Sequence, residues 1–211
     1  MAATKKTVLI TGSTRGIGLA FAEYYVKAGW NVIGTARANS NTEQLAALSP
    51  FKIVTMDTGD EATMLEAAHQ LEGIPIDLLI NNAGIGIYTT FVTASKDAIM
   101  KTLEVNALGP FLVTRALVSN LKLAAKVDQP AVYHQQQRGL RAVVPRLRDS
   151  NITVVAVNPG YVATDMSNHQ GVIKADDAVA AMDNIVSKLS LEDSGKFFNA
   201  DPAIPESDLP W

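Results

Sequence analysis

Thr11-Gly-Ser-Thr-Arg-Gly-Ile-Gly18 sets three glycines between a strand pattern and a helix pattern, and its reading decides the fold. Before it, Thr7-Val-Leu-Ile10 is a short apolar run, as expected of a strand covered on both faces of a parallel sheet. After it, from about Gly16, Ile17, Phe21, Tyr24 and Tyr25 recur at helical spacing until Gly29 stops the helix. Glycines let such a turn close tightly and bring its backbone near a phosphate, while the amides at a helix N-terminus carry partial positive charge. The spacing is G-x3-G-x-G, neither the G-x-G-x-x-G fingerprint nor a Walker loop. By itself such a turn also serves as a plain strand–helix connection.

Working outward, strands and helices alternate. Asn31–Thr35 reads as a second strand, Thr42–Leu48 as a short helix closed by Pro50, and Lys52–Met56 as a third strand. Asp60 can cap a helix running through Leu71, and Asp77–Ile80 is a fourth strand. Asp97 to about Lys126 reads as one long helix, Gly109-Pro110 included. Asp128–Tyr133 is a poor strand because Pro130 removes a ladder donor, and Gln135–Arg148 is a weak helix because of Gly139 and Pro145. Ile152–Val157 is a clear sixth strand, Ala178–Leu189 a helix, and Asp201–Trp211 an irregular tail. The alternation predicts right-handed crossovers, a sheet covered on both faces and one domain over residues 1–211, irregular and shortened at about 127–147.

Composition narrows the function. Hydrophobic residues at 47% and charged residues at 18% suit a soluble globular domain, and a net charge of −3 argues against nucleic acid or an anionic membrane as partner. The absence of cysteine excludes a disulfide framework, a thiolate nucleophile and a zinc–thiolate site. His69, His134 and His169 are scattered, so no metal site is expected. Met1–Lys6 leads directly into a strand, and no apolar run approaches the roughly 20 residues of a membrane span, so the expectation is a cytoplasmic protein.

Asn81-Asn82-Ala-Gly84 ends the fourth strand and Asn158-Pro-Gly160 ends the sixth. Ligands of open α/β sheets bind at the carboxyl ends of strands, so three loops converge where a dinucleotide would lie. Together these segments resemble the TGxxxGxG, NNAG and PG motifs of the short-chain dehydrogenase/reductase family, over residues 6 to about 126 and 150–211. Ser194–Phe198 through Leu209-Pro-Trp211 resembles its small C-factor/sniffer-type branch. The resemblance implies a doubly wound Rossmann domain with a mostly parallel sheet, acting as an oxidoreductase on a small-molecule carbonyl or alcohol. Family members often pair through the long helix and the one after the fifth strand; the latter falls in the irregular stretch here, so a homo-oligomer is one possibility and the oligomeric state stays open.

An NAD-specific site normally carries an acidic residue after the second strand, but here that strand ends Thr35-Ala36-Arg37. Arg15 lies in the glycine turn, and two guanidinium groups can bind a 2′-phosphate, so the expected cofactor is NADP(H). The plain alternative is a pair of solvated surface arginines. The resemblance also implies cofactor contacts from Gly12, Ile17, Gly18 and Gly84, with Asp57 on the adenine amino group and Asn82 near the adenine ribose. Pro159, Gly160, Val162 and Thr164 fall at the nicotinamide and pyrophosphate end. Asp57 has an ordinary alternative role as a cap of the next turn.

The resemblance implies proton transfer through a tyrosine, helped by a lysine four residues on, a serine and an upstream asparagine. Asn106 matches the asparagine; its plain alternative is a buried side chain bonded to a helix backbone. None of the five tyrosines has lysine at +4. Tyr133 is the only candidate in the right region; Gln137 takes the lysine's place, and Arg138 points roughly 140° round a helix from Tyr133. Counting forward from Asn106, Tyr133 instead falls near the serine's place and the tyrosine has no counterpart. Both alignments stand at this level. If Gln135-Gln-Gln137 is encoded CAG-CAG-CAG, a one-nucleotide shift reads serine codons, which would explain the departure. The residues therefore support either a weak NADP(H)-dependent oxidoreductase or a pseudoenzyme that keeps the nucleotide site as a sensor or interaction module.

Overall fold

A computed structural model describes residues 5–86, 89–126, 131–134, 147–204 and 207–210. Seven strands form one sheet in the order β3-β2-β1-β4-β5-β6-β7, every neighbouring pair parallel. They are β1 (Thr7–Ile10), β2 (Asn31–Ala36), β3 (Lys52–Thr55), β4 (Leu78–Asn81), β5 (Ala131–His134), β6 (Thr153–Asn158) and β7 (Phe197–Asn199). The chain runs outward from β1 to β3 and then returns to β4 beside β1, so the strand order reverses between β1 and β4. That reversal opens a crevice at the carboxyl edge. The fold is Rossmann-like, as the alternation predicts.

Alternation along each strand supplies both faces. Leu9, Ile33, Leu79, Val132 and Val154 pack with Met64 and Ala67 of α3 (Glu61–Gln70), and with Val113 and Leu121 of α5 (Gly109–Ala116) and α6 (Val118–Ala124). Their neighbours Val8, Ile10, Val32, Leu78, Ile80, Val155 and Val157 pack on the other face with α1 (Gly16–Lys27) and α7 (Ala175–Val186). A polar clamp joins these last two helices. The Tyr24 hydroxyl donates to Asp183 Oδ2 at 2.8 Å and the Tyr25 hydroxyl to Oδ1 at 2.7 Å. The bond to Asp183, with burial and the carboxylate charge adding to it, raises the Tyr24 phenol above its ordinary pKa.

Three departures from the sequence reading have physical causes. The single long helix is instead α4 (Lys96–Leu103), a π-helical turn at Glu104–Leu108, α5, and α6 beyond a break at Leu117. Pro110 lacks the N–H that an α-helix would offer to the carbonyl of Asn106, so the ladder widens before it. The segment around Tyr133 is a central strand despite Pro130, because β5 begins at Ala131, after the proline. Finally, β7 was not foreseen. It has only three residues, and the tail returns across it through a Phe198–Asp208 bridge and a 2.7 Å bond from Leu209 N–H to Phe197 O.

Candidate functional site

The glycine turn is knitted to the loops beside it by two threonines at strand ends. Thr11 Oγ1 accepts from the backbone N–H of Asn82 at 3.0 Å and of Ala83 at 2.9 Å. Thr35 Oγ1 accepts from Gly12 N–H at 3.2 Å, while Ser13 Oγ donates to Thr35 O at 3.1 Å and accepts from Thr35 N–H at 2.8 Å. Gly12 and Gly16 hold φ of +66° and +55°, the left-handed region. Gly18, in the first turn of α1, is under a tighter restriction. A Cβ there would run into the carbonyl oxygen of Gly12 and stand 2.5 Å from Asn82 Nδ2.

Above this turn lies a cavity of about 920 Å³, and Gly12, Arg15, Ile17, Gly18, Arg37, Asp57, Asn82, Gly84 and Thr164 all line it. Its walls come from loops after β1, β2, β3, β4 and β6, the carboxyl edge at the reversal. No carboxylate stands at the end of β2, whose last residue Ala36 is followed by Arg37. Arg15 Nη1 lies 3.2 Å from Asp165 Oδ2, a pair well exposed on both sides. Asp57 Oδ1 accepts from Gly59 N–H at 2.9 Å, so one carboxylate oxygen shapes its own turn. Asn82 is a clamp: its Nδ2 donates to Thr11 O at 2.9 Å and Gly12 O at 3.2 Å.

Pro159, Gly160 and Val162 contribute no surface to this cavity and shape the loop behind Thr164. Gly160 has φ +80°, with Ile173 and Asp201 packed where a Cβ would stand, and Val162 is buried and bridged to Ile173. The sequence reading missed Lys101 and Asp165 among the lining residues. Lys101 Nζ pairs with Glu104 at 2.7 Å, and that hydrogen bond is the main cause holding its pKa above the usual value. Only the placement of Thr164-Asp165 just after the Pro-Gly loop could have drawn attention to Asp165. Among the described residues no group of three or more His, Cys, Asp or Glu could hold a metal, and no helix is long and apolar enough to cross a membrane.

The catalytic candidates are less well assembled. Asn106 lies in the π-helical turn, buried, with both ends of its amide used by one residue. Its Oδ1 accepts from Ile85 N–H at 2.9 Å and its Nδ2 donates to Ile85 O at 2.8 Å. It therefore fixes the loop after Gly84. Tyr133 lies on β5, in register with Ile80 and Val155. A strand position does not put a +4 residue one helical turn away. Gln137, Arg138 and the rest of 135–146 lie outside the described residues.

Comparisons with known proteins agree with this geometry. A family model described as short chain dehydrogenase matches residues 6–128. C-signal of Myxococcus xanthus is 29% identical over 159 residues, covering 65% of this chain and 93% of that protein. A dehydrogenase/reductase SDR family protein 7-like of Drosophila melanogaster is 28% identical over 191 residues, 77% of this chain; the match spans only 59% of the fly protein's length. Among solved structures, an NADPH-bound carbonyl reductase from chicken fatty liver superposes with a TM-score of 0.88 at 26% identity, covering 98% of this chain and 99% of that one.

Proposed function

The chain belongs to the short-chain dehydrogenase family, and from that premise we propose that it is a cytoplasmic oxidoreductase that binds NADP(H) and acts only weakly on a small-molecule carbonyl or alcohol. One observation carries the cofactor half of the reading. The amide cradle built from Gly12, Gly16 and Gly18 opens into a cavity flanked by Arg15 and Arg37, with no carboxylate ending β2. The cavity suits a dinucleotide in size and in polar groups: backbone N–H and guanidinium donors for the pyrophosphate and a 2′-phosphate, and the Asp57 carboxylate to accept from the adenine amino group. When bound, the nicotinamide supplies or accepts a hydride. The chain's own contribution is to hold the dinucleotide through that cradle, with Asn106 fixing the Gly84–Ile85 turn beside it.

A second reading, a nucleotide-binding pseudoenzyme, is favoured by the strand placement of Tyr133 and the absence of any Tyr-x-x-x-Lys. A carbonyl-reduction panel run on the same preparation as a cofactor titration separates the two.

Replacing Arg37 with Ala removes a charge-assisted contact worth about 1.5 kcal/mol at this exposed position, roughly tenfold in NADPH affinity. Fluorescence titration checks it, and equal affinities of the wild type for NADPH and NADH would sink the NADP(H) assignment. NADPH at 100 times its Kd raises stability by about 2.7 kcal/mol under either reading. A thermal melt with and without NADPH measures this, and no shift at saturation contradicts both readings.

A further inference from the structure

We propose that Asp165 tunes how strongly this chain discriminates NADPH from NADH, by competing with the 2′-phosphate for Arg15; the proposal rests on the cofactor reading above. The two arginines at the cavity are not equivalent. Among the described residues the Arg37 guanidinium has no ion pair, whereas Arg15 reaches from the start of α1 to Asp165, 150 residues away in sequence. Asp165 and Arg15 line the same cavity, so the carboxylate stands where a phosphate seeking Arg15 must approach. A 2′-phosphate carries close to two negative charges and meets repulsion there as well as a rival for the guanidinium. The 2′-hydroxyl of NADH is neutral and meets neither.

The loop holds Asp165 in place without needing the ion pair. Thr164 N–H donates to Ser167 Oγ at 3.0 Å, Ser167 N–H donates to Thr164 O at 3.0 Å, and His169 N–H donates to Thr164 O at 2.9 Å. Asn168 and His169 both adopt left-handed φ, 49° and 58°, unfavourable for non-glycine residues. That double reversal returns the His169 ring to Asp165, with Nε2 3.1 Å from Oδ1, while Oδ2 faces Arg15. The Thr164 methyl rests 3.4 Å from where a Cβ of Gly16 would stand, so the loop already lies against the glycine turn. Neutralising Asp165 therefore changes charge while this backbone scaffold remains.

The test is fluorescence titration of NADPH and NADH against wild type, Asp165→Asn, Asp165→Glu and Arg37→Ala. Asp165→Asn should lower the ratio of Kd for NADPH to Kd for NADH about two- to fivefold, the range of an exposed ion pair. Asp165→Glu should keep the wild-type ratio, and the effect of Asp165→Asn should shrink at about 1 M salt, where screening acts within about 3 Å. An unchanged ratio in Asp165→Asn overturns the proposal, as does equal weakening of both cofactors, which would mark a structural role. Arg37→Ala reports on the underlying reading separately. If it loses NADPH affinity while Asp165→Asn leaves the ratio alone, the competition fails and the NADP(H) assignment survives.

Discussion

With NADPH, the wild-type protein should reduce reactive diketones and quinones at a rate about 10²–10⁴-fold below intact short-chain reductases, and Gln137→Lys should not restore it. The factor is the usual worth of a positioned acid–base group, and the sequence holds no Tyr-x-x-x-Lys to supply one. A phenol with a pKa near 10 needs a nearby ammonium to serve as an acid–base group at neutral pH. Tyr133 is on β5, in register with Ile80 and Val155, and a strand position does not set its +4 neighbour one helical turn away. Asn106 keeps its place, but both functions of its amide are engaged by Ile85. Residues that act as one unit fail together, so returning a single member leaves the loss almost intact. Steady-state assay of both proteins over a carbonyl panel decides the matter. Wild-type turnover matching intact family members would mean that another residue supplies the proton.

Gly18→Ala should cost NADPH affinity about ten- to a hundredfold and destabilise the fold by about 1–3 kcal/mol, the usual range for overpacking. The added methyl has nowhere to go. It meets the Gly12 carbonyl, which is backbone, and Asn82 Nδ2, a side-chain end tied down by its bonds to Thr11 O and Gly12 O. Relief requires α1 to move away from Gly12 or Asn82 to release it, and either change misaligns the amides that face the cavity. Gly29→Ala is the contrast: nothing lies within 4 Å of its Cβ position, so only its φ of +81° counts against it, far from the cofactor. Titration and melting of both variants should show affinity lost in the first and kept in the second. Equal NADPH affinities would remove Gly18 from the cradle.

Much of this is legible in the sequence. The Gly12–Gly18 turn, the Asn81–Gly84 segment and the Asn158–Gly160 segment announce themselves because each couples an apolar strand to small or amide residues that the crevice needs. The π-helical turn was not legible, since one extra residue per turn hardly disturbs a helical apolar pattern, and Pro110 alone does not say how the ladder adapts. Pro130 misled because it marks the residue before a strand as readily as a residue that breaks one. The Arg15–Asp165 pair joins charges 150 positions apart, and nothing local to either reveals the other. Nor could sequence spacing supply the strand register of Tyr133 beside Ile80 and Val155.

The tyrosine clamp on Asp183 changes how the cradle should be thought of mechanically. No side chain caps the start of α1, and its muzzle is held through the glycine turn before it. The breech is held separately, where Tyr24 and Tyr25 fasten the rear of the helix to α7. At 1.5 Å per residue the lever from Tyr24 to Gly16 is about 12 Å, so one degree of play at the pivot moves the amides about 0.2 Å. A pivot gripped by two short hydrogen bonds keeps that play small. The same carboxylate belongs to the helix that follows the Asp165 loop, so the two sides of the cofactor mouth share one bearing.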